Sequence, residues 1–222
     1  MMTRPKGYAL LSWRNLALIG GSLAVFAAIS PRSPLNAAEA TPPRWHEGKY
    51  VGAGKCKNCH SKEADGNPYG HWQKMDHAKA FEKLSSPEAI KAGKEKGVES
   101  PQQDAKCLKC HVTAFEAPAA VRPAIDPKMG VQCESCHGPG GSHIKARMAA
   151  AAAVEDEEES VEYKPVPAGE VILPLAKTCT ACHNQESPHF KKFDCAERME
   201  KILHLNPKRK RDQKKVIADL CK

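Results

Sequence analysis

Four segments of this 222-residue chain repeat one pattern, Cys-x-x-Cys-His: Cys56, Cys59 and His60; Cys107, Cys110 and His111; Cys133, Cys136 and His137; Cys179, Cys182 and His183. With 10 cysteines and 10 histidines available, random placement would give only about 0.02 copies. Two thiols three residues apart can each add to a vinyl group of haem as a thioether. The imidazole that follows then lies close enough to the porphyrin plane to bond the iron from one side. The spacing therefore predicts four covalently bound c-type haems, with His60, His111, His137 and His183 as proximal ligands. Two other chemistries use paired cysteines. Zinc has no need of a histidine after the second cysteine in all four cases, and a redox dithiol usually occurs once, beside a βαβ pattern that this sequence lacks.

Four irons need sixth ligands, and His46, His71, His77, His143, His189 and His204 remain to supply them. This surplus favours mostly bis-histidine irons suited to electron transfer, with Met75 and Met129 as thioether alternatives. The residues that must carry these ligands read as short helices separated by Pro/Gly loops, with little or no sheet. From His71 to Leu84 the pattern predicts a helix that places His77, Phe81 and Leu84 on one face and points His71 to another. Pro118, Pro123 and Pro127 make a loop of the stretch between the second and third motifs. Gly138 to Gly141 allows a tight turn before His143 and an Ala-rich helix ending near Val154. A second long loop holds the acidic run Glu155–Glu159 and a Pro-rich segment, Lys164–Pro174.

A helical hairpin is expected over about residues 194–221. Asp194 and Glu197 resemble an N-terminal cap, Cys195, Met199, Ile202 and Leu203 share a face, Asn206-Pro207 stops the first helix, and a second runs to about Leu220. Antiparallel packing would put Cys195, at the start of the first helix, beside Cys221, at the end of the second. These are the two cysteines left over from the haem motifs, so a disulfide is expected.

Arg4, Lys6 and Arg14 precede an apolar stretch, Leu16–Ile29, which is followed by Ala38-Glu39-Ala40, a small-residue cleavage site. Residues 1–40 thus read as a signal peptide and 41–222 as the haem-bearing domain, placed in the periplasm or outside the cell. The apolar stretch is short of the roughly 20 residues needed to span a bilayer, so no stable membrane span is expected after cleavage. Losing Arg4, Lys6, Arg14, Arg32 and Glu39 lowers the formal charge from +8 to +5. Ionised haem propionates would offset most of that, so the basic balance is no argument for nucleic acid. The acidic run and the basic segment Lys208–Lys215 read as solvated faces, with partner docking as the alternative. Aromatics are 5% and the mean hydropathy is −0.54, which leaves a thin side-chain core. The porphyrin faces would complete it at about 25 cal/mol per Å² buried.

The segments KCKNCH, WQKMDHAKAF, CLKCHVTAF, GVQCESCHGPGGSH and CTACH closely resemble the tetrahaem cytochrome c-554 family, named for the electron acceptor of hydroxylamine oxidoreductase. The resemblance runs from Val51 to about His204. CESCHGPG and DHAKAF are its more specific parts, because Cys-x-x-Cys-His alone says only haem. It implies a mainly α, haem-packed multihaem cytochrome in which His77, His143 and His204 are distal ligands. It also implies that the haem of His111 lacks a protein ligand on its other face. His46, His71 and His189 match no distal position of that family, and recruitment of one of them would close this haem.

Three functional readings follow. The first is an exported carrier that relays electrons between redox partner proteins, whose identities no motif encodes; no separate acid–base constellation marks an enzyme. The second is a reductase of a small molecule such as nitric oxide at a five-coordinate haem. The third is a self-associating haem filament, with His46 as the best placed histidine to reach a neighbour's iron.

Overall fold

The computed structural model describes residues 45–152 and 170–222, all within one compact unit, Ala40–Lys222. The signal segment with its cleavage site, the residues around Val154, the acidic run and the start of the Pro-rich loop lie outside the described residues.

The described residues hold ten helices and no strand: α1 (Ala53–His60), α2 (Pro68–Gln73), α3 (Ala80–Lys83), α4 (Pro87–Glu95), α5 (Ala105–His111), α6 (Cys133–His137), α7 (Gly141–Ala152), α8 (Ala176–Thr180), α9 (Cys195–Ile202) and α10 (Gln213–Leu220). The expected mainly α fold with little sheet is what forms. Helices this short are marginal in water, and side-chain caps compensate at several of them. Ser86 accepts from the Ala89 N–H at 3.2 Å, Asp104 from Lys106 at 2.7 Å, Asp194 from Glu197 at 2.9 Å and Asp212 from Lys215 at 2.7 Å. Each satisfies an amide that the first helical turn leaves unpaired. In α1, α5 and α6 the motif histidine is the last helical residue. The two cysteines, three apart, therefore share a face with the imidazole just beyond them. The fourth motif differs, because α8 ends at Thr180 and His183 lies in the turn that follows, its N–H donating to Cys179 O at 2.9 Å.

The helix expected over His71–Leu84 is broken. It ends at Gln73 and resumes at Ala80, with His77 in the intervening turn. The cause is a tertiary contact: the His77 carbonyl accepts from Ala80 at 3.1 Å and also from Val131 at 2.9 Å. Gly130 makes that approach feasible. At φ +63° it lies so close that a Cβ there would sit 2.6 Å from the His77 oxygen, an approach and a conformation suited to glycine. His71 and His77 thus belong to different elements rather than to two faces of one helix.

The apolar core is small, as composition implied. One cluster gathers Tyr50, Leu84, Leu108, Val112, Ala114, Ala117 and Ile125, and a second holds Ala53, Tyr69 and Trp72. A buried polar knot joins the first and third motifs. The Glu134 carboxylate, 3% exposed, accepts from the backbone N–H groups of Val51 (2.9 Å), Gly52 (2.8 Å) and Gly140 (2.7 Å). Gln132 accepts from Ala53 at 2.8 Å, and its own N–H donates to Thr113 Oγ1 at 2.7 Å.

The C-terminal hairpin forms with α9 against α10, although α9 stops at Ile202, before Asn206-Pro207, and Leu203 is already extended. Cys195 and Cys221 are disulfide-bonded, with Cα atoms 5.7 Å apart and a sequence separation of 26. Closing a loop of that length restricts the unfolded chain by about 3 kcal/mol. Cys195→Ser with Cys221→Ser is therefore expected to lower unfolding stability by that amount, read from denaturant midpoints. A loss below about 1 kcal/mol would show that the bridge does not set the hairpin's stability.

Candidate haem sites

Two imidazoles on opposite sides of one metal, each bonded through nitrogen at about 2.0 Å, carry their ring centroids about 6 Å apart. Three of the four motif histidines have a partner at that spacing. His60 faces His143 at 6.1 Å, His183 faces His77 at 6.0 Å, and His137 faces His204 at 5.8 Å. The partners are the three non-motif histidines that the family resemblance singled out. Among the described residues, which include every histidine of the chain, His111 has no histidine ring at such a distance.

The unused ring nitrogens are also provided for. Nδ1 lies 2.7 Å from Ala80 O in His111, 3.1 Å from Ile172 O in His137 and 3.0 Å from Ile202 O in His204. In His143 it lies 2.7 Å from the Glu170 carboxylate. A carbonyl or carboxylate can only accept, so each of these rings carries its proton on Nδ1 and leaves Nε2 free to bind a metal. Burial, and then neighbouring histidines, hold His60, His77 and His137 below the usual imidazole range, His137 at about 4. Burial acts likewise on His183, with Arg198 and His111 adding to it, and on His204. Neutral imidazole is the form that ligates iron. The donor set fits haem, whereas among the described residues no three of His, Cys, Asp and Glu converge as a tetrahedral zinc site would require.

The motifs are neighbours in an order that differs from the sequence. Before haem attachment the Cys56 thiol shares a hydrogen bond with Cys133, which pushes Cys56 up and Cys133 down. Burial, and then nearby Cys179, push Cys136 up to about 12. His183 senses His111, and Lys109 pairs with Glu186 beyond the fourth motif. Neighbour contacts therefore run from the first motif to the third, from the third to the fourth and from the fourth to the second.

The other histidines stand apart from this scheme. His46 is tied through its backbone to the Tyr50 hydroxyl at 2.7 Å, and His189 is exposed, with its N–H on Ser187 Oγ at 3.3 Å. The His71 ring lies 6.1 Å from the same His204 ring that faces His137, and its Nε2 is buried without a hydrogen-bond partner. Sequence reasoning missed the supporting shell, Glu134, Gln132, Thr113, Arg147 and Glu170. For Glu134 a signal existed in the acidic residue inside CESCH, just ahead of a Gly-rich turn; for Glu170 there was none.

Paired Cys-x-x-Cys-His motifs on a helical chain, with imidazoles facing one another at metal-spanning distance, are the features of a c-type cytochrome. Residues 55–138 match the model of the family described as cytochrome c554 and c-prime. Cytochrome c-554 of Nitrosomonas europaea is 32% identical over 153 residues, a stretch covering 64% of this chain and 61% of that protein, less than two thirds of its length. A solved structure of reduced cytochrome c554 from the same organism superposes over 70% of this chain and 79% of that one at 24% identity, with a TM-score of 0.46. Among the described residues no helix is long and apolar enough to cross a membrane.

Proposed function

We propose that the chain carries four c-type haems, attached through the cysteine pairs 56/59, 107/110, 133/136 and 179/182, and relays electrons between redox partner proteins outside the cytoplasm. His60 with His143, His183 with His77, and His137 with His204 would hold three irons from both sides. His111 would hold the fourth from one side. The observation that carries this reading is the set of three histidine ring pairs spaced 5.8–6.1 Å apart. Haem, when bound, supplies a one-electron couple. The chain supplies neutral ligands, fixes their tautomers through Nδ1, and sets each attachment site beside the next so that neighbouring couples are close. Export, with cleavage after Ala40, agrees with thioether formation outside the cytoplasm.

A second reading is favoured by one feature, the lack of a histidine facing His111. An iron held from one side can take up a small ligand such as nitric oxide, which would add a reductase activity to the relay. Intact mass of protein made with haem-maturation machinery tests the principal reading. A chain beginning at Thr41 and carrying four haems is the expected species, and three or fewer haems would overturn the assignment.

A further inference from the structure

His143 stands out among the axial histidines by what lies behind it. His111, His137 and His204 place Nδ1 against neutral backbone carbonyls. His143 places it against the Glu170 carboxylate at 2.7 Å, the one such contact among the described residues. Glu170 is 9% exposed and is gripped from the other side by Arg147, Nε to Oε1 at 2.8 Å and Nη2 to Oε2 at 2.5 Å. That fork fixes where the carboxylate points. The same fork pairs the carboxylate with a guanidinium charge, which favours its ionised form. Two residues along the same stretch, Ile172 accepts from His137 through its carbonyl. One short segment therefore serves two neighbouring sites with different chemistry.

We propose that Glu170, positioned by Arg147, strengthens His143 as a ligand and thereby holds the haem of Cys56 and Cys59 at a lower reduction potential than its neighbour at Cys133 and Cys136. A carboxylate that accepts the Nδ1 proton shifts electron density onto the ring. The more basic ring favours the oxidised iron. A carbonyl does so less, which gives the adjacent pair a downhill direction from the first motif to the third. Glu170 and Arg147 act through His143 and are positioning residues. The inference rests on the proposed axial role of His143.

Redox titration of the holoprotein, followed by low-temperature magnetic resonance, tests it in Glu170→Gln, Arg147→Gln and His143→Ala. His143→Ala should convert one low-spin signal to high-spin and so mark which haem is concerned. Glu170→Gln should raise the potential of that haem and move its g values. Arg147→Gln, which leaves the carboxylate unneutralised, should lower the potential, and Glu170→Asp should restore part of the wild-type value. Opposite signs for the two variants are not what a merely structural loss produces. No shift in either variant, or a shift of both in one direction, overturns the inference while leaving the axial pairs intact. Retention of every low-spin signal in His143→Ala overturns the axial assignment itself. If Glu170→Gln fails to assemble, Arg147→Gln alone decides, with a rise or no change counting against the proposal.

Discussion

Glu134→Ala is expected to lower the stability of the holoprotein by about 3–5 kcal/mol, because three backbone amides lose their acceptor together and an unmet buried donor costs about 1–3 kcal/mol. Val51, Gly52 and Gly140 donate to this one carboxylate across as many as 83 residues of sequence. They tie the entrance of α1 to α6 and to the turn before α7. Water entering the gap would recover part of the loss, which keeps the figure below the full sum. Glu134→Gln keeps one carbonyl oxygen but no charge, and about 1–3 kcal/mol is expected. Denaturant unfolding monitored by haem absorption measures both. A cost below about 1 kcal/mol for the alanine variant would mean that the knot does not hold the first and third motifs together.

The second large effect is electronic. Removing His77, His143 or His204 should each turn one low-spin iron high-spin and leave the other signals unchanged, since each ring faces a single motif histidine. His46→Ala and His189→Ala should change no signal, because neither ring pairs with a motif histidine. His71→Ala is the sharper control. The rings of His71 and His137 lie 6.1 and 5.8 Å from that of His204, but the His204 Nδ1 is committed to Ile202 O. One free nitrogen can serve one iron, and in the proposed ligand set it serves the haem beside His137. His71→Ala should therefore leave the spin states as they are, and a new high-spin signal would show that the ligand sets had been paired wrongly.

Much of the candidate site is legible in the sequence because it is local chemistry. The Cys-x-x-Cys-His spacing is a property of one helical turn, so it survives whatever the rest of the chain does. The caps at Asp194 and the Cys195–Cys221 bridge follow from short-range helix rules, and the structure carries both. Assigning His77, His143 and His204 needed the family resemblance, since nothing in the spacing ranks them above His46, His71 or His189. What could not be read is long-range. The break between α2 and α3 exists because Val131, 54 residues past His77, takes the carbonyl that would have continued the helix. Local propensity across DHAKAF contains no trace of that competitor. Glu170 likewise meets His143 and Arg147 across 27 and 23 residues, and a single glutamate beside a Pro-rich stretch looks like any solvated charge.

The central claim is that three irons are bracketed by histidine and one, at His111, is open. Magnetic resonance of the oxidised holoprotein, with carbon monoxide titration of the reduced form, measures this directly. Three low-spin irons and one high-spin iron that takes up one carbon monoxide per chain is the predicted result. Four low-spin irons with no uptake would contradict it.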